Sequence, residues 1–380
     1  MYNILTLNKI SPNGTDRMGD NYNISDDVKD PAAVLVRSAS MHDMEMPESL
    51  LAIARCGAGT NNIPKDACAD KGIVVFNTPG ANANAVKELV VAGLLLSSRK
   101  VVEGIEWAKT LKGNGDAVGK MAEKGKGQFV GPEILGKTLG VVGLGAIGVL
   151  VANAAVALGM KVIGFDPFLS VNNALALDPA VKVMKSQEEV MTNCDYLTIH
   201  VPLMDATKDL VNAEMIAKMK DGVRILNFSR DGLVNSTAVL EAIKSGKVSK
   251  YVTDFATDDV LAEENVICLP HLGASTPESE DNCAIMAADQ VMDYLENGNI
   301  VNSVNYPAVS MAKSGAVRYC VMFKANDDAV KNITGAVAGA VAVEAKTRGA
   351  YGYAIVDAND DSSVAALEAV ADVIKVRVIK

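Results

Sequence analysis

Apolar residues fall in short runs separated by segments of helical periodicity. In the first part of the chain the runs lie at 3–7, 32–36, 51–55 and 72–76, and a helix start is expected at Pro64 with Gly72 as its stop. From about 85 to 109 a longer helical pattern follows, apolar around most of its middle, as for a helix buried between larger bodies. The stretch 111–131 is rich in Gly and Lys and reads as a loop. A second series of runs lies at 138–142, 161–165, 196–200, 223–227, 251–255 and 266–268, with helical patterns at 147–158, 213–219 and 237–244. Apolar strands alternating with helices predict an α/β chain with a Rossmann-type, doubly wound parallel sheet. Ser275 to Glu278 reads as a capping box with an early Pro, opening a helix that runs towards Glu296 and stops at Gly298. After a small and polar stretch at 306–314, strands at 316–323 and 353–356 and helices at 329–342 and from Ser362 suggest a separate α+β module of βαββαβ type.

The chain has 380 residues, 49% hydrophobic and 22% charged, enough to build full cores. Its net charge of −10 argues against a nucleic-acid partner, since phosphate backbones need a basic face. An anionic small molecule would need locally placed Arg or Lys. No apolar run approaches the ~18 residues of a membrane span, so no membrane partner is expected. The chain opens on strand-like residues, which makes the cytoplasm the default location. The six cysteines form no CxxC pair and read as reduced thiols among apolar neighbours. With three histidines, none spaced with Cys as a ligand set, no metal is expected.

The strongest local signal is the turn with Gly143, Gly145 and Gly148. It follows one strand pattern and opens a helix at about Ile147. Gly143 permits the tight turn, Gly145 lets a diphosphate approach the backbone, and Gly148 lets helix and strand pack closely. The helix N-terminus offers free N–H groups to the phosphates. Asp166 ends the next strand, where a carboxylate accepts from ribose hydroxyls and repels the extra phosphate of NADP. Neither Pro167 nor Phe168 compensates it, so the expected cofactor is NAD.

A reaction on NAD moves a hydride, and the substrate then needs a proton acceptor, a cation for any anionic group and a residue that holds the acceptor in place. Of the histidines, His42 lies in a Met-rich, surface-like segment. His200 follows a strand at its carboxyl end and suits either a cofactor contact or a structural role. His271 lies in a loop straight after the last strand. Arg230 also directly follows a strand, and its planar fork suits a carboxylate. Asp258 and Asp259 precede His271 by about a dozen residues; either can orient the imidazole, although a solvated acidic turn is the plainer reading of the pair.

The segments RCGAGTNNI (55–63), LGKTLGVVGLGAIG (135–148), NFSRDGLV (227–234), VTDFATDD (252–259) and LPHLGAST (269–276), in that order, resemble the D-isomer-specific 2-hydroxyacid dehydrogenase family. The resemblance spans roughly 30–305. It implies that Arg230 binds the substrate carboxylate, that His271 is the acid–base, and that the third catalytic residue, usually Glu, is Asp259. It also implies NAD contacts at Thr60, Ala146, Ile147, Asp166, Pro202, Ser229, Asp254 and Gly273. Ala58 and Gly59 would offer backbone N–H groups to the carboxylate. Arg37 and Arg55 resemble residues that meet a substrate phosphate, which a dianion requires. The implied partner is a phosphorylated hydroxy acid, D-3-phosphoglycerate, oxidised to 3-phosphohydroxypyruvate in serine synthesis. Glyoxylate or hydroxypyruvate reduction, D-lactate oxidation, and NAD sensing on the same fold are the alternatives. The resemblance further implies a flavodoxin-like substrate domain in two pieces, 1–84 and 275–305, an NAD-binding domain over 85–274 inserted between them with the active site in the cleft, an ACT-like C-terminal module over 306–380 that often binds serine in relatives, and a homodimer or homotetramer.

Overall fold

The computed structural model describes residues 1–380, which form two compact units, Met1–Asn82 with Thr276–Lys380, and Ala83–Ser275. The first unit carries a parallel sheet of β1 (Tyr2–Leu7), β2 (Tyr22–Ser25), β3 (Ala33–Val36), β4 (Ala52–Arg55) and β5 (Val74–Phe76), in the order β2-β1-β3-β4-β5. β3 is buried on both faces, the signature of a parallel sheet covered on both sides. β2 is absent from the expected strand set: its four residues alternate polar and apolar beside a run of Asp, too short a pattern to stand out.

The second unit is a seven-stranded parallel sheet. Its strands are β6 (Thr138–Val142), β7 (Lys161–Phe165), β8 (Lys182–Val183), β9 (Tyr196–Ile199), β10 (Val223–Asn227), β11 (Val248–Thr253) and β12 (Val266–Cys268), in the order β12-β11-β10-β9-β6-β7-β8. The order reverses between β6 and β9, which is where open α/β sheets bind ligands at the carboxyl ends of their strands. The strand expected at 251–255 begins at Val248 and ends at Thr253, leaving Asp254 and Phe255 in the loop.

The long helix expected over 85–109 is two helices, Ala83–Ser98 and Val101–Thr110, broken at Arg99 and Lys100. Only the first is buried, by Val86, Val90 and Leu94; the second buries no residue. The Gly- and Lys-rich stretch after it is not wholly loop, because Val118–Gly125 is helical.

Back in the first unit, the helix Pro277–Asn297 starts one residue later than the capping-box reading placed it. Thr276, not Ser275, is the N-cap, accepting from the Ser279 N–H at 3.1 Å, and Gly298 closes the helix in the left-handed region at φ 73°. The third sheet is antiparallel: β13 (Val317–Lys324), β14 (Ala340–Arg348), β15 (Tyr351–Ala358) and β16 (Val373–Ile379), in the order β14-β15-β13-β16. With the helices Ala329–Ala336 and Val364–Glu368 the order is βαββαβ. The helix expected over 329–342 stops at Ala336, and Gly339 at φ 66° turns the chain into β14, whose Val341 and Val343 favour a strand.

One face of this sheet packs Tyr319, Val321 and Phe323 against Ile333 and Leu367. The other puts Cys320, Met322, Tyr353 and Ile355 into the core shared with Tyr294 and Leu295. Arg318 and Asp357, both fully buried, form a bidentate pair at 2.7 and 2.9 Å. The remaining donors of Arg318 reach the carbonyls of Asn297 and Met311, so the pair fastens the 298–314 connection to the sheet. No helix is long and apolar enough to cross a membrane.

Candidate active site

In the second unit, the carboxyl ends of β6, β7, β9, β10, β11 and β12 lead directly into the residues singled out from the sequence. After β6, Gly143 takes φ 94°, and a Cβ there would collide with the His200 carbonyl. Gly148 sits against the Gly143 carbonyl with no room for a side chain. Beside Gly145, by contrast, the space is open. Gly145 is the N-cap of the helix Ala146–Ala157 and carries no side-chain cap. The N–H groups of Gly145, Ala146, Ile147 and Gly148 therefore face outward without intrahelical partners, a ready anion site. Asp166 follows β7, and its carboxylate accepts from Leu144 N–H at 2.9 Å and Phe168 N–H at 2.8 Å. This holds the acid beside the glycine turn, where ribose hydroxyls would sit next to a diphosphate.

His200 follows β9. One ring nitrogen, Nε2, is 2.9 Å from the Thr198 hydroxyl, while Nδ1 is buried without a partner. Burial pushes its pKa down to about 4, so the ring is neutral at physiological pH. Pro202 is exposed two residues on, its carbonyl accepting from the Thr207 hydroxyl. Ser229, after β10, donates to the Val201 carbonyl at 2.9 Å and so joins the two loops. Arg230 is half-buried; its Nη1 donates to the Ser229 carbonyl at 2.6 Å, which leaves most of the fork for a ligand.

Asp254, after β11, is 3% exposed, and neither carboxylate oxygen meets a hydrogen-bond donor. Burial raises its pKa; the charges of His271 and Arg230 and the nearby Gly273 N–H pull it back. Asp254 is thus within electrostatic reach of both the imidazole and the guanidinium. Gly273 is buried, its missing side chain leaving room 3.6 Å from the Asp254 carboxylate. His271 is exposed and packs edge-on against Phe255, with ring centroids 5.3 Å apart at 84°.

The expected pairing of His271 with Asp259 is not formed, nor is one with Asp258. Both acids are exposed in the first turn of the short helix Asp258–Leu261, capped by Thr257, where the helix dipole and solvent favour them. The carboxylate whose charge reaches the imidazole is Asp254. Phe255 was not anticipated as the ring that steadies His271, although an aromatic residue directly after Asp254 was the available signal.

In the first unit, Arg37 directly follows β3 and Arg55 ends β4. Arg55 Nε donates to the Arg37 carbonyl at 3.1 Å, and its guanidinium folds over Gly57. The Arg37 side chain meets Glu280 at 2.7 Å. The backbone N–H groups of Ala58, Gly59 and Thr60 have no acceptor among the backbone hydrogen bonds of this turn. Asn77 holds the turn by donating to the Ala58 carbonyl at 2.7 Å.

The donor set fits NAD. The open side of Gly145 and the unsatisfied helix N-terminus suit a diphosphate, and Asp166 suits an adenosine ribose. The orphaned, buried Asp254 carboxylate is an acceptor waiting for an N–H group such as that of a carboxamide.

Comparison with known proteins agrees. Residues 91–273 match the D-isomer specific 2-hydroxyacid dehydrogenase, NAD binding domain. D-3-phosphoglycerate dehydrogenase of Methanocaldococcus jannaschii is 33% identical over 300 residues, covering 77% of this chain and 55% of that protein. The Bacillus subtilis enzyme of the same name is 34% identical over 287 residues, covering 73% and 52%. This chain thus spans about half the length of the curated relatives it matches. The NAD+-bound 3-phosphoglycerate dehydrogenase of Entamoeba histolytica superposes with a TM-score of 0.61 at 26% identity, covering 80% of this chain and 98% of that one. The glycine turn and the seven-stranded parallel sheet lie within residues 91–273, the part of the chain that matches the D-isomer specific 2-hydroxyacid dehydrogenase, NAD binding domain.

Proposed function

We propose that the chain oxidises D-3-phosphoglycerate to 3-phosphohydroxypyruvate with NAD, the first step of serine synthesis. The observation that carries the reading is Asp254: one buried, unsatisfied carboxylate within reach of both Arg230 and His271, on the sheet that bears the glycine turn. The relatives' names supply the substrate.

NAD, when bound, accepts the hydride from the substrate's second carbon. His271 takes the hydroxyl proton as the hydride departs and returns it in the reverse direction. Arg230 binds the substrate carboxylate and polarises the developing carbonyl through its fork. Asp254, with its buried carboxylate unpartnered, would accept from the carboxamide of a bound nicotinamide and so help hold it. Asp259 is the carboxylate assigned to meet the imidazole once substrate is bound, since catalytic hydrogen bonds often tighten only then. The first unit supplies Ala58 and Gly59 N–H groups for the carboxylate, Thr60 for the cofactor, and Arg37 with Arg55 for the phosphate. A cytoplasmic homodimer or homotetramer, with the βαββαβ module acting as an ACT-like regulatory or assembly domain, belongs to the same proposal.

Replacing His271 with Ala tests it. Turnover is expected to fall by ~10²–10⁴-fold with NAD affinity retained, the usual worth of a positioned acid–base. Undiminished turnover would remove His271 from the mechanism.

A further inference from the structure

Arg37 is held unusually well for a residue at a strand end. Its backbone N–H and those of Ser38 and Ala39 point at the Asn8 side-chain oxygen, at 3.4, 2.9 and 2.9 Å. Asn8 itself takes φ 75° to present that oxygen. The Arg37 carbonyl accepts from Arg55 Nε at 3.1 Å and from Asn62 Nδ2 at 3.5 Å. With its backbone fixed on both sides, Arg37 can aim its guanidinium reproducibly, and it aims it at Glu280, 2.7 Å away. Glu280 lies in the first turn of the helix Pro277–Asn297, which begins immediately after the loop carrying His271. Neither the sequence pattern nor the family resemblance singled it out.

We propose that Glu280 is a specificity-determining residue: its carboxylate occupies Arg37 until a dianionic phosphate displaces it. This deepens, and rests on, the reading of Arg37 as a phosphate ligand. The two side chains are 36% and 43% exposed, so the pair is a weak, solvent-screened one and is readily exchanged. Coulomb attraction scales with the entering charge. A phosphate dianion offers Arg37 twice the charge of Glu280, and offers Arg55 the same. A carboxylate or another monoanion merely replaces one unit charge with another and gains nothing. Glu280 therefore sets a threshold that a phosphorylated substrate passes and smaller anions do not. It also keeps the guanidinium in place while the site waits.

Four readouts test this on the full chain with NAD: KM for D-3-phosphoglycerate, KM for D-glycerate, and calorimetric affinity for D-malate and for inorganic phosphate. In Glu280→Gln the KM for D-3-phosphoglycerate is expected to fall ~1.5- to 5-fold, the range of an exposed ion pair. The change falls on KM rather than kcat; D-glycerate, which has no anion to place at Arg37, shows none; D-malate, whose second carboxylate offers a monoanion there, binds detectably only once Glu280 is neutral; and inorganic phosphate binds tighter by a similar factor. In an Arg37→Ala background the Glu280→Gln effect disappears, which a general structural role would not produce. Glu280→Ala, which removes the amide as well, is expected to repeat the pattern. Equal shifts on both substrates, or a Glu280→Gln effect that survives Arg37→Ala, would overturn the proposal. If the unmodified chain does not prefer the phosphorylated acid, the substrate reading fails separately. Inorganic phosphate then decides: tighter binding to Glu280→Gln supports the role of Glu280, and unchanged binding overturns it.

Discussion

Asp254 shows how a single residue can serve a ligand at the expense of the fold. Its carboxylate is buried with no donor, and burial raises its pKa. Ionising a carboxyl so buried leaves a poorly solvated charge, which opposes folding. Asp254→Asn is therefore expected to raise the melting temperature while weakening NAD roughly 10- to 100-fold, about the worth of one hydrogen bond to a charged group. Calorimetry and cofactor titration check the two halves; a lower melting temperature would refute the account. His200 carries the opposite linkage. Its pKa is about 4 in the folded chain against an ordinary 6.5. Between those values the unfolded chain binds a proton that the folded chain refuses. Its contribution is complete above about pH 6.5 and is lost as the pH falls towards 4. Denaturant midpoints measured across that window should decline less steeply in His200→Gln.

At the scale of elements, the glycine turn separates packing from binding. Gly148→Ala must collide with the Gly143 carbonyl and should lower the melting temperature. Gly145→Ala enters open space, so stability should be nearly unchanged while NAD affinity falls tenfold or more. Equal loss of stability in both variants would mean that the turn is a packing device rather than a diphosphate cradle. This turn was fully legible in the sequence, because each glycine answers a local steric demand. So were most strands of the two parallel sheets, whose burial on both faces leaves unbroken apolar runs. The break at Arg99 and Lys100 was not, since nothing in the apolar pattern interrupts a helix there. β14 was also hidden: a run of Ala, Val and Gly suits helix or strand alike until its neighbour β15 is known.

For the whole molecule, the residues of the candidate site come from separate strand ends far apart in sequence, and the parallel topology alone gathers Arg230, Asp254 and His271. The sequence pattern could propose each but not their neighbours. It suggested an acidic partner for His271 at 258–259, two acids that stand exposed in the first turn of their helix, but not that the buried Asp254 also feels the charge of the imidazole. It offered Arg37 and Arg55 as cations but could not reveal Glu280, which reaches Arg37 only through the return of the chain after residue 275. With a net charge of −10, such local arginines must carry the recognition of an anionic substrate. The most direct test is a steady-state assay of the full chain against a panel of 2-hydroxy and 2-oxo acids with both nicotinamide cofactors. The account predicts the highest kcat/KM for D-3-phosphoglycerate with NAD, well above D-glycerate and D-lactate and well above the same substrate with NADP. Turnover of D-lactate or glyoxylate exceeding that of the phosphorylated acid, or a preference for NADP, would contradict it.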